Sequence, residues 1–555
     1  MKATQLLRSL RHSNHRTARV LLPLLSLLFS APWPTLRADL RTSVQQVQQA
    51  LLAIDYFYVD TVDDAHLAET AVRAMLRELD PHSTYLTPDE VRAMTEDLGG
   101  QFDGIGVRYQ MERDTLLVLG TVAGGPSERV GIQAGDRIVT VDDTLIAGVG
   151  MPTREIQRRL RGPRGTCVRL GIRRAEGRGE SAEEGLLTFL VTRDKIPVHS
   201  VEAAYMAAPG VGYVKVARFA QTTPAEVAEA MDRLSTQGME HLIIDLQDNG
   251  GGYLQSAVGL ANPFLPRGTG VVYTIGRTER RRDYTTAGGR KMAGRLVVLI
   301  DEESASASEI FSGAIQDHDR GVIVGRRSFG KGLVQRPVDL PDGAMVRLTT
   351  SHYYTPSGRC IQKPYTQGEP GAYARDIADR YRHGEVYSPD SIRFADSLRY
   401  LTDAGRTVYG GGGIMPDVFV PLDTAQTPPT LRRLVARGTL HRFVLEYFSR
   451  HQRALRQAYP TAERYIENFD VPQTMVDTLM ARAAADSVRI DSLELAQSLP
   501  RLRLQLKAAL AADLFEPGTF YRITNTESPI YSRALAIISD ADEYLRLLRP
   551  QPEAE

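Results

Sequence analysis

The chain has 555 residues, of which 42% are hydrophobic and 24% charged, and its 67 Lys and Arg residues balance its 67 Asp and Glu residues. This length and composition predict several globular domains and exclude a wholly disordered chain. Cys167 and Cys360 lie far apart, which excludes a disulfide scaffold or a Cys-rich metal module, and we expect both to be free and buried. No apolar run approaches the ~20 residues of a membrane span, which excludes a polytopic membrane protein.

Residues 1–38 differ from the rest of the chain in charge and predict a targeting segment. They contain 6 basic residues and no acidic residue, and the apolar run Val20–Phe29 follows the basic stretch. This order is typical of a secretory signal peptide cleaved near Ala31 or Ala38, with an uncleaved membrane anchor as the alternative. We therefore expect an exported, periplasmic protein that is soluble or anchored to the inner membrane. The remaining 61 basic and 67 acidic residues leave a net charge of −6, which argues against a nucleic-acid partner.

Four further regions are predicted in chain order. Helical periodicity predicts a helical region over residues 39–95, and short β-runs between glycines and prolines predict a β-rich domain over 96–193. Strands alternate with helices over 194–421, which predicts an α/β core, and within it the polar residues 362–410 resemble an insertion that is part helix and part loop. Leu, Ala, Arg and Glu at helical spacing predict an all-helical C-terminal region over 422–555.

Apolar runs within the predicted core indicate its individual strands and helices. The predicted strands are Gly212–Val216, His241–Leu246, Leu296–Ile300, Val322–Val324 and Met345–Thr350, and the predicted helices are Pro224–Thr236, Leu254–Ala261 and Ala305–Gln316. Ligands bind at the carboxyl ends of the strands in open α/β sheets. Motifs that directly follow these strands are therefore the first candidates for chemistry.

A pair of glycines in the β-rich region predicts a loop that binds a carboxylate. Gly104 and Gly106 flank Ile105, so consecutive backbone N–H groups can point into one space. Taken alone, these glycines also fit an ordinary turn. Together with the downstream segments Ala134–Ile138 and Arg161–Thr166, the pattern resembles a PDZ domain, which binds a C-terminal peptide as an added strand with its carboxylate in the glycine loop.

Three serines between a predicted strand and a predicted helix are candidates for a nucleophile. They lie in the segment Asp301–Ile310, whose small residues would let a substrate carbonyl approach the backbone. The N–H group of the residue after the nucleophile, at a helix N-terminus, can then face an oxyanion. Helix capping is the alternative interpretation, because Ser306 and Glu309 have the spacing of a capping box and Ser304 is a natural N-cap.

Lys331 lies between two glycines and is a candidate general base. A lysine among glycine and apolar residues can be desolvated, which lowers its pKa, and a surface turn is the alternative. Gly325–Lys331 also has the spacing of a phosphate-binding loop after a strand. However, Gly332 stands where a Ser or Thr hydroxyl should hold Mg²⁺, so we do not expect nucleotide binding.

A third glycine cluster, Asn249–Gly252, follows an apolar strand and offers backbone amides that could bind an oxyanion, unless it is only a strand-ending turn. The sequence lacks G-x-S-x-G, H-E-x-x-H and C-x-x-C, and we expect neither a metal nor a cofactor. We interpret His82 as a turn residue rather than a base, and His241 and His318 as structural or surface residues.

Taken together, these motifs resemble the C-terminal processing peptidases of family S41. The segments that carry the resemblance are Gly100–Val107, Gly124–Ile138, Leu246–Gly251, Ser304–Glu309 and Phe329–Gln335. The resemblance covers residues 40–421, and the helical tail is similar to that of Bacteroidetes-type members. It implies a PDZ domain inserted ahead of an α/β core of the ClpP/crotonase type, with helical N- and C-terminal regions. It also implies a serine endopeptidase that cleaves proteins at or near their C-termini.

The resemblance also implies roles for individual residues. Ser306 would be the nucleophile, Lys331 the general base, and Gln335 the residue that orients Lys331. The implied oxyanion donors are the backbone N–H groups of Ala307 and Gly250, with Gly251 as the next candidate. The family usually has Arg where this chain has Gln247, a departure that leaves the Ser/Lys dyad intact but could loosen the oxyanion strand.

The PDZ resemblance implies that the loop formed by Gly104, Ile105 and Gly106 binds the substrate C-terminus and that the domain controls access to the dyad. The expected partners are proteins or peptides with apolar C-termini, with a homodimer through the helical termini and an adaptor protein as open options. The main alternative is a non-catalytic PDZ scaffold whose core only binds. A nucleotide-dependent enzyme using Gly325–Gly332 is a third hypothesis, which requires ATP binding.

Overall fold

The computed structural model describes residues 38–112, 114–174, 186–289, 291–423 and 428–550. The predicted targeting segment lies outside the described residues, except for Ala38. The chain forms two compact units that divide after Met75. Among the described residues, no helix is both long enough and apolar enough to cross a membrane.

The predicted N-terminal helical region is present, with one short strand that the sequence did not predict. Its elements are α1 (Ala38–Phe57), α2 (Asp64–Arg77), β1 (Thr84–Leu86) and α3 (Pro88–Gly99). A capping box starts α3, in which the Thr87 N–H donates to Glu90 Oε2 at 2.8 Å. β1 has only 3 residues, too few to show a strand period, and its pairing partner lies far along the chain.

The β-rich region forms the predicted PDZ-like domain. Its elements are β2 (Gln101–Gly104), β3 (Val107–Glu112), β4 (Thr115–Thr121), α4 (Pro126–Arg129), β5 (Arg137–Val141), β6 (Thr144–Leu145), α5 (Thr153–Leu160), β7 (Cys167–Arg173), β8 (Leu187–Thr192) and β9 (Asp194–Pro197). The sheet order is β3-β4-β5-β7-β8, with β6 against β5, so β3 is an edge strand. β2 and β9 pair at the base of the domain.

The predicted core is a mostly parallel sheet with its associated helices. Its elements are β10 (Val201–Ala208), β11 (Val211–Val216), α6 (Thr223–Thr236), β12 (His241–Asp245), α7 (Leu254–Ala261), β13 (Gly270–Gly276), β14 (Arg282–Thr285), β15 (Leu296–Ile300), α8 (Ala307–Asp317), β16 (Val322–Gly325), β17 (Leu333–Asp339) and β18 (Met345–Tyr354). The central sheet has the order β10-β11-β12-β15-β16, followed at the edge by β21 (Val418–Phe419). Strands from β11 to β21 run parallel in this sheet.

The core contains a second sheet, whose strand β17 begins two residues after Lys331. It has the order β1-β18-β13-β14, with β17 also paired to β18. The segment 362–410 contains α9 (Pro370–Arg382) and a two-stranded sheet of β19 (Arg399–Leu401) and β20 (Thr407–Tyr409). The sequence predicted helix and loop for this segment but not its strand pair.

The C-terminal region is helical, as predicted, but part of it belongs to the core. Its helices are α10 (Pro429–Ala436), α11 (Thr439–Ala458), α12 (Ala462–Asn468), α13 (Gln473–Ala485), α14 (Ser492–Leu514), α15 (Pro517–Thr524), α16 (Pro529–Ser539) and α17 (Ala541–Leu547). Helices α10 to α15 enclose their own apolar core. Helices α16 and α17 instead cover one face of the central sheet, where Ile537 packs with Ile243 and Val297.

Alternation along the central strands explains why the sheet needs helices on both faces. Val298 of β15 points toward α7 and α8, and its neighbour Val297 points toward α16. A parallel sheet buried on both faces is fully apolar, so its sequence does not show which helices will cover it. Both cysteines are free, as predicted, but neither is buried: Cys167 is exposed and Cys360 is partly exposed.

Candidate active site

Three loops that carry the sequence motifs meet at one edge of the central sheet. They follow β12, β15 and β16, which are neighbouring parallel strands. Because the carboxyl ends of parallel strands point the same way, these loops are brought together although they are far apart in sequence. The glycine cluster, the serine segment and the lysine-bearing loop (residues 326–332) therefore form a single site.

The environment of the three serines distinguishes one of them. Ser304 is buried and its hydroxyl donates to the Leu246 carbonyl at 2.8 Å. Ser308 is also buried and its hydroxyl donates to the Asn249 carbonyl at 2.8 Å. Ser306 is partly exposed and N-caps α8. The outer serines thus tie the turn to the neighbouring loop, and Ser306 is the serine that a substrate can reach.

The backbone of Ser306 adopts a conformation that side chains rarely take. Its φ is 56° and its ψ is −111°, which costs of order 1–3 kcal/mol for a residue with a Cβ. The surrounding groups hold it there: Ser306 donates its N–H to Glu309 Oε2 at 2.7 Å, and its carbonyl lies 3.1 Å from the Tyr353 hydroxyl. The strained turn presents the serine at the helix N-terminus.

Two backbone amides beside Ser306 can serve as oxyanion donors. Within the described part of the chain, neither Gly250 nor Ala307 donates its N–H to another group. Gly251, in contrast, donates its N–H to Asn249 Oδ1 at 2.9 Å. A Cβ on Gly251 would lie 2.8 Å from the Ser306 Cβ, so only glycine fits this close approach. These contacts favour Gly250 over Gly251 as the second donor.

The buried carboxylate of Glu309 joins the serine segment to the lysine-bearing loop. Besides the Ser306 N–H, it accepts the N–H groups of Gly330 at 2.7 Å and Lys331 at 2.9 Å, and the Ser328 hydroxyl at 2.5 Å. Burial raises the pKa of Glu309, while these donors oppose the rise. The sequence suggested Glu309 only as half of a capping box, and its contacts with the lysine-bearing loop could not be seen there.

Lys331 lies in an environment that favours its neutral form. Burial lowers the pKa of its ammonium to about 8, with a contribution from the Arg347 charge, whereas Glu309 and Asp80 oppose the shift. Its carbonyl accepts the Tyr353 hydroxyl at 2.5 Å. In the described residues, no hydrogen bond joins Lys331 Nζ to Ser306 Oγ.

The segment Asp80–Ser83, which contains the predicted turn residue His82, lies near Lys331. His82 is indeed in a turn, where its N–H donates to Asp80 Oδ1 at 2.9 Å. Burial, together with the Lys331 charge, lowers the pKa of His82 to about 4, so it is neutral at neutral pH. Its Nε2 lies 2.8 Å from the Tyr373 hydroxyl. His318 is held between Asp403 and the Gly270 carbonyl, as expected of a structural residue.

Gln335 lies at the start of β17, just beyond the lysine-bearing loop. Its Nε2 donates to Thr349 Oγ1 at 3.3 Å, and Thr349 in turn donates to Asp80 Oδ1 at 2.9 Å. A β-bulge separates Val334 from Gln335 in the pairing with β18. Its proposed role in orienting Lys331 therefore remains a prediction.

The PDZ-like domain contains a groove beside the predicted carboxylate loop. A cavity of about 490 Å³ lies between edge strand β3 and helix α5, and it is lined by Gly104, Ile105, Gly106 and apolar side chains of β3. The loop is fixed through its carbonyl oxygens: Gly106 O accepts the Val122 N–H at 2.9 Å, and Ile105 O accepts the Ser127 hydroxyl at 2.7 Å. This geometry suits an added peptide strand.

The remaining sequence alternatives find little support at this site. The N–H groups of Gly330 and Lys331, which a phosphate loop would offer to a nucleotide, already donate to Glu309. No group of three or more metal-ligating residues occurs among the residues that the structure describes.

At Gln247, where the family usually has Arg, the backbone carbonyl accepts a hydrogen bond from the Lys215 ammonium at 2.5 Å. Lys215 also pairs with Asp245 at 3.3 Å.

Comparison with known proteins shows matches over the same regions. Residues 210–369 match Peptidase family S41, 117–174 match the PDZ domain, and 430–516 match a family of unknown function (DUF8443). The carboxy-terminal-processing protease of Bartonella bacilliformis is 35% identical over 311 residues, covering 55% of this chain and 69% of that protein. Carboxy-terminal processing protease CtpA of Bacillus subtilis is 29% identical over 338 residues, covering 59% and 70%. The solved photosystem II D1 C-terminal processing protease is 30% identical, covering 58% of this chain and 90% of that one, with a TM-score of 0.31.

Proposed function

Because this chain belongs to peptidase family S41 and is a serine protease of the carboxy-terminal processing type with a PDZ domain, we propose that it cleaves protein substrates at or near their C-termini through a Ser306/Lys331 dyad. The observation that carries this proposal is the shared carboxylate of Glu309, which binds the backbone of both residues at 2.7 and 2.9 Å. The two residues are thereby held as neighbours. Burial lowers the pKa of Lys331.

The chemistry proceeds without a cofactor in this proposal. Neutral Lys331 takes the proton of Ser306 as Oγ attacks the substrate carbonyl, and the N–H groups of Gly250 and Ala307 bind the oxyanion. Lys331 then returns the proton to the leaving amine, which leaves an acyl-enzyme on Ser306. Water, deprotonated by Lys331, releases the product acid and restores the serine.

We further propose that the PDZ domain gates this reaction. Arg161, which lines the groove, stacks over Phe102 with its guanidinium 4.5 Å from the ring centroid and pairs with Glu96 of α3. Helix α3 also pairs with the core through Asp97 and Arg218 at 2.6 Å. A peptide carboxylate in the groove would compete with Glu96 for Arg161 and so change the contact between the PDZ domain and α3. The lack of a Ser306–Lys331 hydrogen bond in the described residues is consistent with a resting state.

The proposal is tested by the cleavage pattern of the purified protein. The substrate is an unfolded protein with an apolar C-terminus, supplied with either a free C-terminal carboxylate or a carboxamide, and products are mapped by mass spectrometry. Cleavage near the C-terminus that requires the free carboxylate supports the proposal. A protein that binds the peptide but never cleaves it would instead be a scaffold, which is the alternative function.

A glycine substitution in the PDZ loop tests the substrate-binding role. Gly106→Ala is expected to weaken binding of the free-carboxylate peptide by about 10-fold, because φ at Gly106 is 71° and a Cβ would lie 3.0 Å from Ile196 Cδ1. Gly148→Ala is the matched control, since φ there is 74° and no atom lies within 4 Å of the added Cβ. Peptide titration by fluorescence anisotropy should show weaker binding for Gly106→Ala than for Gly148→Ala. Equal affinity in both variants would argue against this loop as the carboxylate site.

We also propose that the protein is exported and that its N-terminal helix mediates a homodimer. Helix α1 places apolar side chains at alternating spacings of four and three residues, which is the pattern of a coiled-coil seam. These are Leu40, Val44, Val47, Leu51 and Ile54, and Leu40, Val44, Val47 and Ile54 are exposed in the single chain. Val44→Asp with Val47→Asp is expected to give a monomer in sedimentation equilibrium, with Gln45→Glu as control. A wild-type protein that stays monomeric as its concentration rises would contradict the dimer.

A further inference from the structure

The segment that the sequence marked as an insertion packs directly behind the lysine-bearing loop. Arg380 of α9 has a side chain that is only 3% exposed. Its Nη1 donates to the Ser328 carbonyl at 2.8 Å and its Nη2 donates to the Phe329 carbonyl at 3.0 Å. One guanidinium therefore holds two successive carbonyl groups, with Lys331 two residues beyond the second of them.

Acidic neighbours form ion pairs with Arg380, although its Nε donates no hydrogen bond within the described residues. Asp376 Oδ2 lies 3.0 Å from Arg380 Nε, one turn earlier on α9, and the same oxygen lies 2.9 Å from the buried Lys363 Nζ. Glu385, which follows α9, lies 3.8 Å from Arg380 Nε and also binds Arg327 at 2.6 Å. Since Arg327 belongs to the lysine-bearing loop, α9 is linked to the loop at a second point.

The first residues of the same segment hold the other end of the loop. Gln362 Oε1 accepts the Gly332 N–H at 2.8 Å, and the Lys363 N–H donates to the Gly330 carbonyl at 2.9 Å. The Lys363 ammonium also lies 3.9 Å from the ring centroid of Phe329. A Cβ on Gly332 would lie 2.7 Å from the Gln362 backbone nitrogen, so the backbone at Gly332 and the backbone at Gln362 are in close contact.

The charges on the two sides of the loop are opposite and match the peptide groups they face. The carboxylate of Glu309 accepts N–H groups from Gly330 and Lys331, and the guanidinium of Arg380 donates to the carbonyls of Ser328 and Phe329. An anion on the N–H side and a cation on the C=O side fix the orientation of the peptide planes between them. A loop held from both sides in this way fixes the position of the Lys331 side chain.

We propose that residues 362–385 brace the lysine-bearing loop and that Arg380 is a positioning residue for Lys331, an assignment that rests on Lys331 being the general base. Arg380 acts through the backbone and does not touch the reacting atoms. A brace of this kind sets where the base lies relative to Ser306. It also keeps Lys331 buried, which is the main cause of its lowered pKa.

Three variants test the brace. Arg380→Ala removes both carbonyl contacts, Arg380→Lys keeps the charge but cannot hold two carbonyls as a fork, and Gln362→Ala removes the contact at Gly332 without changing any charge. Arg382→Ala is the matched control, because that arginine is on the same helix with a side chain 66% exposed and pairs only with Asp379 in the described residues. Each is assayed for kcat and KM across pH 6–10, alongside peptide binding to the PDZ groove and thermal unfolding.

We expect Arg380→Ala and Arg380→Lys to lower kcat at pH 8 by about 10- to 100-fold, since a small misplacement of a catalytic group costs this much. The rise of kcat with pH should move to higher pH in all three variants, because a loosened Lys331 is better solvated. KM, peptide binding and the Arg382→Ala enzyme should stay at wild-type values. A merely structural role would lower the amount of folded enzyme without moving the pH profile.

Wild-type kcat and pH profile in folded Arg380→Ala, or in Arg380→Lys, would overturn the positioning role. If Arg380→Ala fails to fold, Arg380→Lys and Gln362→Ala decide the matter by the same criterion. Failure of the proposed function looks different, because Lys331→Met would then keep wild-type activity whatever the Arg380 variants do.

Discussion

Replacing Ser306 with alanine is expected to lower kcat by at least about 10⁴-fold, because the hydroxyls of Ser304 and Ser308, the other serines of the turn, are buried and donate to backbone carbonyls. The neighbouring serines provide matched controls. Ser304→Ala and Ser308→Ala remove buried hydroxyl groups that donate to backbone carbonyls, and Ser304 also accepts the Asp301 N–H. Each should lower the free energy of unfolding by at least about 1 kcal/mol while keeping the acylation chemistry. The measurement is steady-state cleavage of the unfolded substrate, with thermal unfolding of each variant.

Strain at the nucleophile adds a second, independent readout. Ser306→Gly should be as inactive as Ser306→Ala but more stable than it by about 1 kcal/mol, because glycine takes a φ of 56° at little cost. An inactive variant with raised stability cannot owe its inactivity to unfolding. Cleavage that survives Ser306→Ala and is lost in Ser304→Ala would identify Ser304 as the nucleophile and contradict the assignment of Ser306.

Replacing Lys331 with methionine is expected to abolish cleavage to a similar extent, and the wild-type enzyme should show the pH dependence of a lysine base. Only neutral Lys331 accepts a proton, and its pKa is lowered to about 8. We therefore expect kcat to rise about 10-fold per pH unit below pH 8 and to level off above it. A kcat that is flat from pH 6 to 9 would count against a lysine base.

The same lowered pKa has a consequence for stability. Between pH 8 and the ordinary lysine value near 10.5, the unfolded chain binds more protons at this residue than the folded chain does, so this contribution makes the fold more stable as pH rises. Below pH 8 the full cost of about 3 kcal/mol is present. Lys331→Met removes it, so this variant should have a higher Tm than wild type at pH 7. A lower Tm for Lys331→Met than for wild type would mean that burial in the folded protein does not disfavour the charged form of Lys331.

A nearby charge allows the position of the pH profile to be tested without touching the dyad. Arg347 contributes to lowering the pKa of Lys331, so Arg347→Gln should move the rise in kcat toward higher pH. Val338 on the adjacent strand β17 gives a control position for the same assay, because it is exposed and pairs with Val346 rather than with Arg347. Arg347→Gln should change the pH dependence of kcat and leave KM unchanged.

The motifs that carry the chemistry and the order of the domains could be predicted from the amino-acid sequence alone. Small residues around Ser306, the glycines beside Lys331 and the Gly104–Gly106 pair are local patterns, and the alternation of strands and helices over the core is a local periodicity. Local patterns of this kind predicted Leu296–Ile300 and Leu254–Ala261 at their observed bounds. The resemblance to family S41 rested on the same segments.

The groups that act together could be identified only from contacts in the folded chain. Glu309 was visible as a cap but not as the carboxylate that binds the backbone of Lys331, and Arg380 lies 49 residues beyond the lysine in a segment with no evident role. The packing of α16 on the central sheet was likewise hidden, since an apolar helix shows that it must be buried but not against what. Contacts between distant segments depend on strand order and on which face each side chain takes, and neither is encoded in the short windows where sequence periodicity is visible.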